Sequence, residues 1–160
     1  MSNGMGESAK LLDLKMSSFI SEEDRRAIWS SASRILDSWD REIGTVMGLG
    51  YVQSGKTTSI SALCALAADS DFQIVVAVLG STVILKDQNR LRIEEALGFR
   101  ERNYRWGIIE DVNSSRSPGE IDLLISKGRT VLIPVIKNAT VLRKLAIVLG
   151  NVSARGAKTL

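Results

Sequence analysis

With 160 residues, 44% of them hydrophobic and 24% charged, the chain is long enough to bury the core of one domain and leaves no room for a second. It has no histidine and one cysteine, which excludes a structural zinc site and nucleophile systems of the Ser-His or Cys-His kind. The net charge of +3 permits a nucleic-acid partner without arguing for one, since that argument needs a clustered basic patch.

No apolar run reaches the roughly 18 residues that a membrane-spanning helix requires, and the opening MSNGMGESAK lacks the apolar stretch of a signal peptide. The cytoplasm is the default location on this reading, with no membrane partner. Residues 1–20 are small, polar and glycine-bearing apart from Leu11, Leu12 and Leu14, and are expected to form a flexible arm, with residues 21–160 folding as one domain. Ser21 is placed to open a helix, with Glu22 and Glu23 in its first turn and Asp24 three residues on, a near relative of the capping box. Ile28, Ala32, Ile35, Leu36 and Trp39 then repeat at helical spacing.

Residues 43–49 read as a short buried strand, and Gly50 to Thr58 follow it as GYVQSGKTT. Gly50, Gly55, Lys56 and Thr57 satisfy the pattern G-x-x-x-x-G-K-[ST] of a phosphate-binding loop between a strand and a helix. Glycines let the backbone approach a ligand and turn its N–H groups inward, and the positive end of the following helix adds to the attraction for phosphate oxygens. Lys56 would reach the β- and γ-phosphates, and the Thr57 hydroxyl would ligate magnesium. The expected nucleotide site is therefore Gly50, Gln53, Ser54, Gly55, Lys56, Thr57 and Thr58, with ATP and Mg2+ as ligands and Thr57 as the metal ligand.

The next helix is expected from Lys56 to about Ala68, apolar on most sides and buried against a sheet, with Cys64 serving as a small buried hydrophobe. Gln73 to Leu79 is a near-continuous apolar strand of the kind found in covered parallel sheets. A helix from about Ile84 to Leu97 stops at Gly98, and a weaker strand over Tyr104 to Ile109 ends at Glu110 and Asp111. A short helix spans about Gly119 to Ser126. Thr130 to Ile136 is again a strand, in which Pro134 marks an end or an unpaired position. Asn138 caps a final helix over Ala139 to Leu149, expected to stop at Gly150 and Asn151, and Thr159 and Leu160 look like a strand beginning. Alternating strands and helices predict an α/β, doubly wound parallel sheet with right-handed crossovers.

The hexamer Val52, Gln53, Ser54, Gly55, Lys56, Thr57, together with the strand Ile74 to Leu79, the Gln88, Asn89, Arg90 region, and Lys137, Asn138, Val141, Leu142 and Leu145, resembles the endonuclease family called the Z-one domain. That family is helicase-like and often encoded beside bacterial DNA methyltransferases. More broadly, Ser81 to Gln88 is similar to the second conserved block of superfamily-two helicases, with Thr82, Leu85 and Gln88 matching and Val83 replacing an arginine. The resemblance implies a RecA-like P-loop NTPase, the ATP-binding portion of a helicase-like DNA-processing or restriction endonuclease. It implies DNA contact through Thr82, Lys86, Gln88 and Arg90, and a methyltransferase or other restriction-system partner.

One departure stands out: no strand ends in the Asp-Glu pair that holds magnesium in such ATPases, and Glu110-Asp111 offers it only in reversed order. In the family the carboxylate strand follows the Lys-Asn helix, so the domain is expected to be incomplete at its C-terminus. Two other readings stay open. One is a non-catalytic nucleotide-binding regulatory module. The other is a small-molecule P-loop kinase with Arg100, Arg102, Arg105 and Arg116 in its lid.

Overall fold

The computed structural model describes residues 5–39, 56–99, 105–153 and 157–160. Six helices and three strands are assigned among them: α1 (Glu7–Met16), α2 (Glu22–Trp39), α3 (Lys56–Asp69), β1 (Ile74–Val78), α4 (Val83–Ala96), β2 (Trp106–Ile108), α5 (Ser117–Ser126), β3 (Thr130–Val135) and α6 (Ala139–Ser153). Although length alone points to one domain, the chain groups into two compact units. One comprises Met1–Ser70 with Ile93–Arg100, the other Asp71–Arg92 with Glu101–Leu160. No described helix is long and apolar enough to cross a membrane.

In the first unit α3 packs against both α1 and α2. The stretch expected as a flexible arm is instead helix α1, because Ala9, Leu12 and Met16 fall on one face at helical spacing and are all buried. Burial outweighs the polar composition that made the segment look loose. Helix α1 is anchored from outside itself: Asp69, the last residue of α3, accepts the Ser8 N–H at 3.1 Å and the Ala9 N–H at 2.9 Å. Two donors of the α1 N-terminus are thus satisfied by a carboxylate about sixty residues away. Ser21 caps α2 as its sequence indicates, accepting the Asp24 N–H at 3.1 Å and donating its hydroxyl to Asp24 Oδ2 at 2.7 Å.

The second unit is α/β, a small parallel sheet of order β1-β3-β2 flanked by helices. Ile74 pairs with Val131 and Val78 with Val135 on one side of β3, while Trp106 to Ile108 pair with Thr130 to Leu132 on the other. Thr159 adds a parallel bridge to Ile74 on the free side of β1, fixed by Leu160 N–H to Ile74 O at 2.9 Å and Val76 N–H to Leu160 O at 3.0 Å. Where a strand is expected to begin at Thr159 and Leu160, the structure has this single bridge and no assigned strand. Strand β3 is buried along its whole length, and Val131, Ile133 and Val135 share a core with Ile121 of α5 and Leu145, Val148 and Val152 of α6.

Helix α6 runs to Ser153, past the stop expected at Gly150. Leu145, Val148 and Val152 lie three and four residues apart and are all buried, so continuing the helix for one more turn brings Val152 into the core. That gain exceeds the roughly 1 kcal/mol that a glycine costs a helix interior.

Pro134 sits inside β3, and the direction of its missing N–H explains why it is tolerated. In a parallel strand both backbone groups of a residue point to the same side, and successive residues alternate. Val131 N–H and Val135 O bond toward β1, to Gln73 O and Leu79 N–H, whereas Thr130 N–H and Leu132 O bond toward β2, to Arg105 O and Ile109 N–H. Pro134 therefore faces the β2 side, where the pairing has already ended at Ile108 and Leu132.

Candidate functional site

The loop residues Gly50, Gln53, Ser54 and Gly55 lie outside the described residues. Helix α3 begins at Lys56, the lysine of the motif, so Thr57 and Thr58 occupy its first turn. Both threonines are partly buried, and the Thr57 carbonyl accepts the Ser61 hydroxyl at 3.0 Å. The first turn of α3 contains no acidic side chain, so nothing within it offsets the positive end of the helix. Cys64, further along α3, is 3% exposed, and burial pushes its thiol up to about 12. Its thiol stays protonated and unreactive at neutral pH.

The residues expected to touch DNA run from Thr82, just before α4, to Arg90 near its middle. Thr82 serves as a cap, its hydroxyl accepting the Leu85 N–H at 3.2 Å, and Gln88 is exposed. Lys86 and Arg90 are drawn into ion pairs instead of standing out in solvent. Lys86 meets Asp87 at 3.0 Å, and Arg90 reaches Glu110 at 3.0 Å and Asp87 at 3.8 Å, both basic side chains being about five-sixths buried. The carboxylate that the sequence offered as one half of a metal pair, Glu110, is thus engaged by one of the proposed DNA contacts. No spacing rule foretells that meeting, since it joins a helix to the loop after another strand.

Of the arginines that a kinase lid would use, Arg100 and Arg102 lie outside the described residues. Arg116, the residue before α5, pairs with Glu120 of that helix at 3.0 Å, and the Arg105 carbonyl accepts the Thr130 N–H at 2.8 Å.

A feature that sequence reading missed is a cleft of about 170 Å³ in the second unit. Its floor is Pro134, Val135 and Ile136 at the carboxyl end of β3. Its sides come from Val83 and Lys86 of α4, the segment Glu110–Val112, and Val141 and Lys144 of α6. Pro134 was the signal available, because a proline in a central strand marks where a neighbour must stop.

Comparison with family models, with curated proteins and with solved structures finds no match to this chain.

Proposed function

We propose that this chain is the nucleotide-binding portion of a RecA-like P-loop ATPase, acting on DNA as part of a helicase-like processing or restriction system in the cytoplasm. The observation that supports the reading is the start of α3 at Lys56, so that the last two residues of the motif, Lys56 and Thr57, open a helix. In that arrangement the N–H groups around Gly50, Gln53, Ser54 and Gly55 would receive phosphate oxygens of ATP. Lys56 would add a full charge, and the Thr57 hydroxyl would serve as a magnesium ligand. The parallel sheet of the second unit is compatible with such a fold. Bound nucleotide supplies the phosphoryl group, and these residues would bind and orient it.

Equilibrium binding of a fluorescent ATP analogue with magnesium, to the wild type and to Lys56→Ala, tests the reading. Loss of the charge-assisted contact should weaken binding by about 1.5–3 kcal/mol. Equal affinity in both proteins would remove Lys56 from the site and the reading with it.

The ion pair between Arg90 and Glu110 favours a second reading, in which the chain binds nucleotide as a regulatory module without hydrolysing it. A carboxylate held by an arginine is poorly placed to hold a metal or position a water. Turnover near background in wild type, unchanged in Glu110→Gln, would support it.

A further inference from the structure

The cleft above β3 lies where the winding of the sheet reverses. From β1 the chain steps over β3 to reach β2, then returns to β3 and crosses back to the bridge at Thr159. Right-handed crossovers place helices reached by steps in opposite directions on opposite faces, so α4 leaves β1 to one face and α6 leaves β3 to the other. The contacts between α5 and α6, which follow the return steps, agree. A crevice at the carboxyl ends of neighbouring strands whose connections diverge is where open parallel sheets bind ligands.

Its charges are of two kinds. Lys86 is neutralised by Asp87 and Glu110 by Arg90. Asp111 and Lys144 are exposed, line the same cleft, and have no ion-pair partner among the described residues. The lining also includes the aliphatic residues Val83, Val112, Val135, Ile136 and Val141. Val83 is 59% exposed, an apolar side chain left at the mouth. The volume is below the roughly 300–1,000 Å³ of sites for drug-sized ligands. At about 30 Å³ per water it holds about six waters, or a compact molecule of about six to nine heavy atoms.

We infer that this cleft binds a small zwitterion of the aliphatic α-amino-acid class, its carboxylate toward Lys144, its ammonium toward Asp111 and its side chain against the valine-lined wall. A simple anion or cation would leave one of the two charges facing it uncompensated. A phosphodiester chain would meet the uncompensated carboxylate of Asp111. This inference uses none of the motif residues and does not rest on the nucleotide reading.

Isothermal titration of the intact chain with L-valine and L-leucine provides the test, with 4-methylpentanoate and isopentylamine as single-charge analogues, and sodium phosphate and an oligodeoxythymidylate as competing chemistries. Saturable binding of the amino acids is expected, with each single-charge analogue at least about tenfold weaker. Lys144→Ala and Asp111→Asn, both at exposed positions, should each weaken amino-acid binding about tenfold, while Lys127→Ala leaves it unchanged. No heat with either amino acid up to about 10 mM, a carboxylate alone binding as well as the zwitterion, or a response only to phosphate or the oligonucleotide would each overturn the inference.

Discussion

Trp29 donates its indole N–H to Asp13 Oδ1 at 2.8 Å, joining α2 to α1 through a carboxylate whose other oxygen is held by Arg25 at 2.8 Å. Trp29 is 8% exposed, so losing that acceptor would leave a nearly buried donor unpaired. Asp13→Ala should therefore cost about 2 kcal/mol, and Asp13→Asn, which keeps a carbonyl acceptor, distinctly less. Urea unfolding followed by tryptophan fluorescence measures both. An Asp13→Ala protein with an unshifted midpoint would show that the bond contributes nothing net.

Asp69 and Gly6 should behave as one device. A Cβ at position 6 would lie 2.3 Å from Asp69 Cγ, so Gly6→Ala must push aside the carboxylate that caps α1. Asp69→Ala is expected to cost about 1–2 kcal/mol, as the loss of a helix cap does. The double variant should lose less than the sum of the two singles, because after Asp69→Ala there is little left to displace. A double-mutant cycle in denaturant would read the coupling, and strict additivity would contradict it.

Cys64 links stability to alkaline pH. Burial raises its folded value from 9.0 to about 12, so in the unfolded chain the thiol ionises first. Its contribution is complete below about pH 9 and is lost as pH rises toward 12. Wild type should therefore lose more stability than Cys64→Ala between pH 8 and pH 10.5, about the span over which only the unfolded thiol titrates. A thiol reagent at pH 8 should react only as fast as the protein opens; immediate labelling without denaturant would contradict the burial.

If α4 carries the DNA contact, its charges must be released before they can be used. Glu110→Gln removes the partner of Arg90 and should raise affinity for DNA, with a steeper loss on adding salt. Lys86→Ala with Arg90→Ala should lower affinity and flatten the salt dependence by about two counterions. Fluorescence anisotropy at two salt concentrations with single- and double-stranded DNA covers both variants. Binding indifferent to all three substitutions would leave α4 as a solvated helix whose charges serve only one another.

Much of this was legible from local chemistry. The caps at Ser21 and Asn138 were readable because each needs only a side-chain oxygen two or three residues from its target, and Asn138 Oδ1 indeed accepts the Thr140 and Val141 N–H groups at 2.9 and 3.2 Å. Helix α1 was obscured because Leu11 and Leu14, the more obvious apolar residues, are 41% and 71% exposed, while the buried set runs through Ala9 and Met16. The end of α6 was misplaced because Gly150 is a local signal and the burial of Val152 is a tertiary one. At the candidate site the motif can be spelled from the sequence, yet the pairing of Arg90 with Glu110 and the cleft over β3 depend on which strand ends lie side by side. Sheet order decides that, and neither period nor spacing encodes it.

The proline in β3 also governs what that strand can join beyond the end of its pairing with β2 among the described residues. A segment docking beyond Ile108 would need alternate N–H donors from β3 to extend the ladder, and position 134 supplies none. At that position the strand therefore offers no donor to an incoming backbone. Intermolecular strand pairing, the usual hazard of a short parallel sheet, is blocked at this point by a single missing hydrogen.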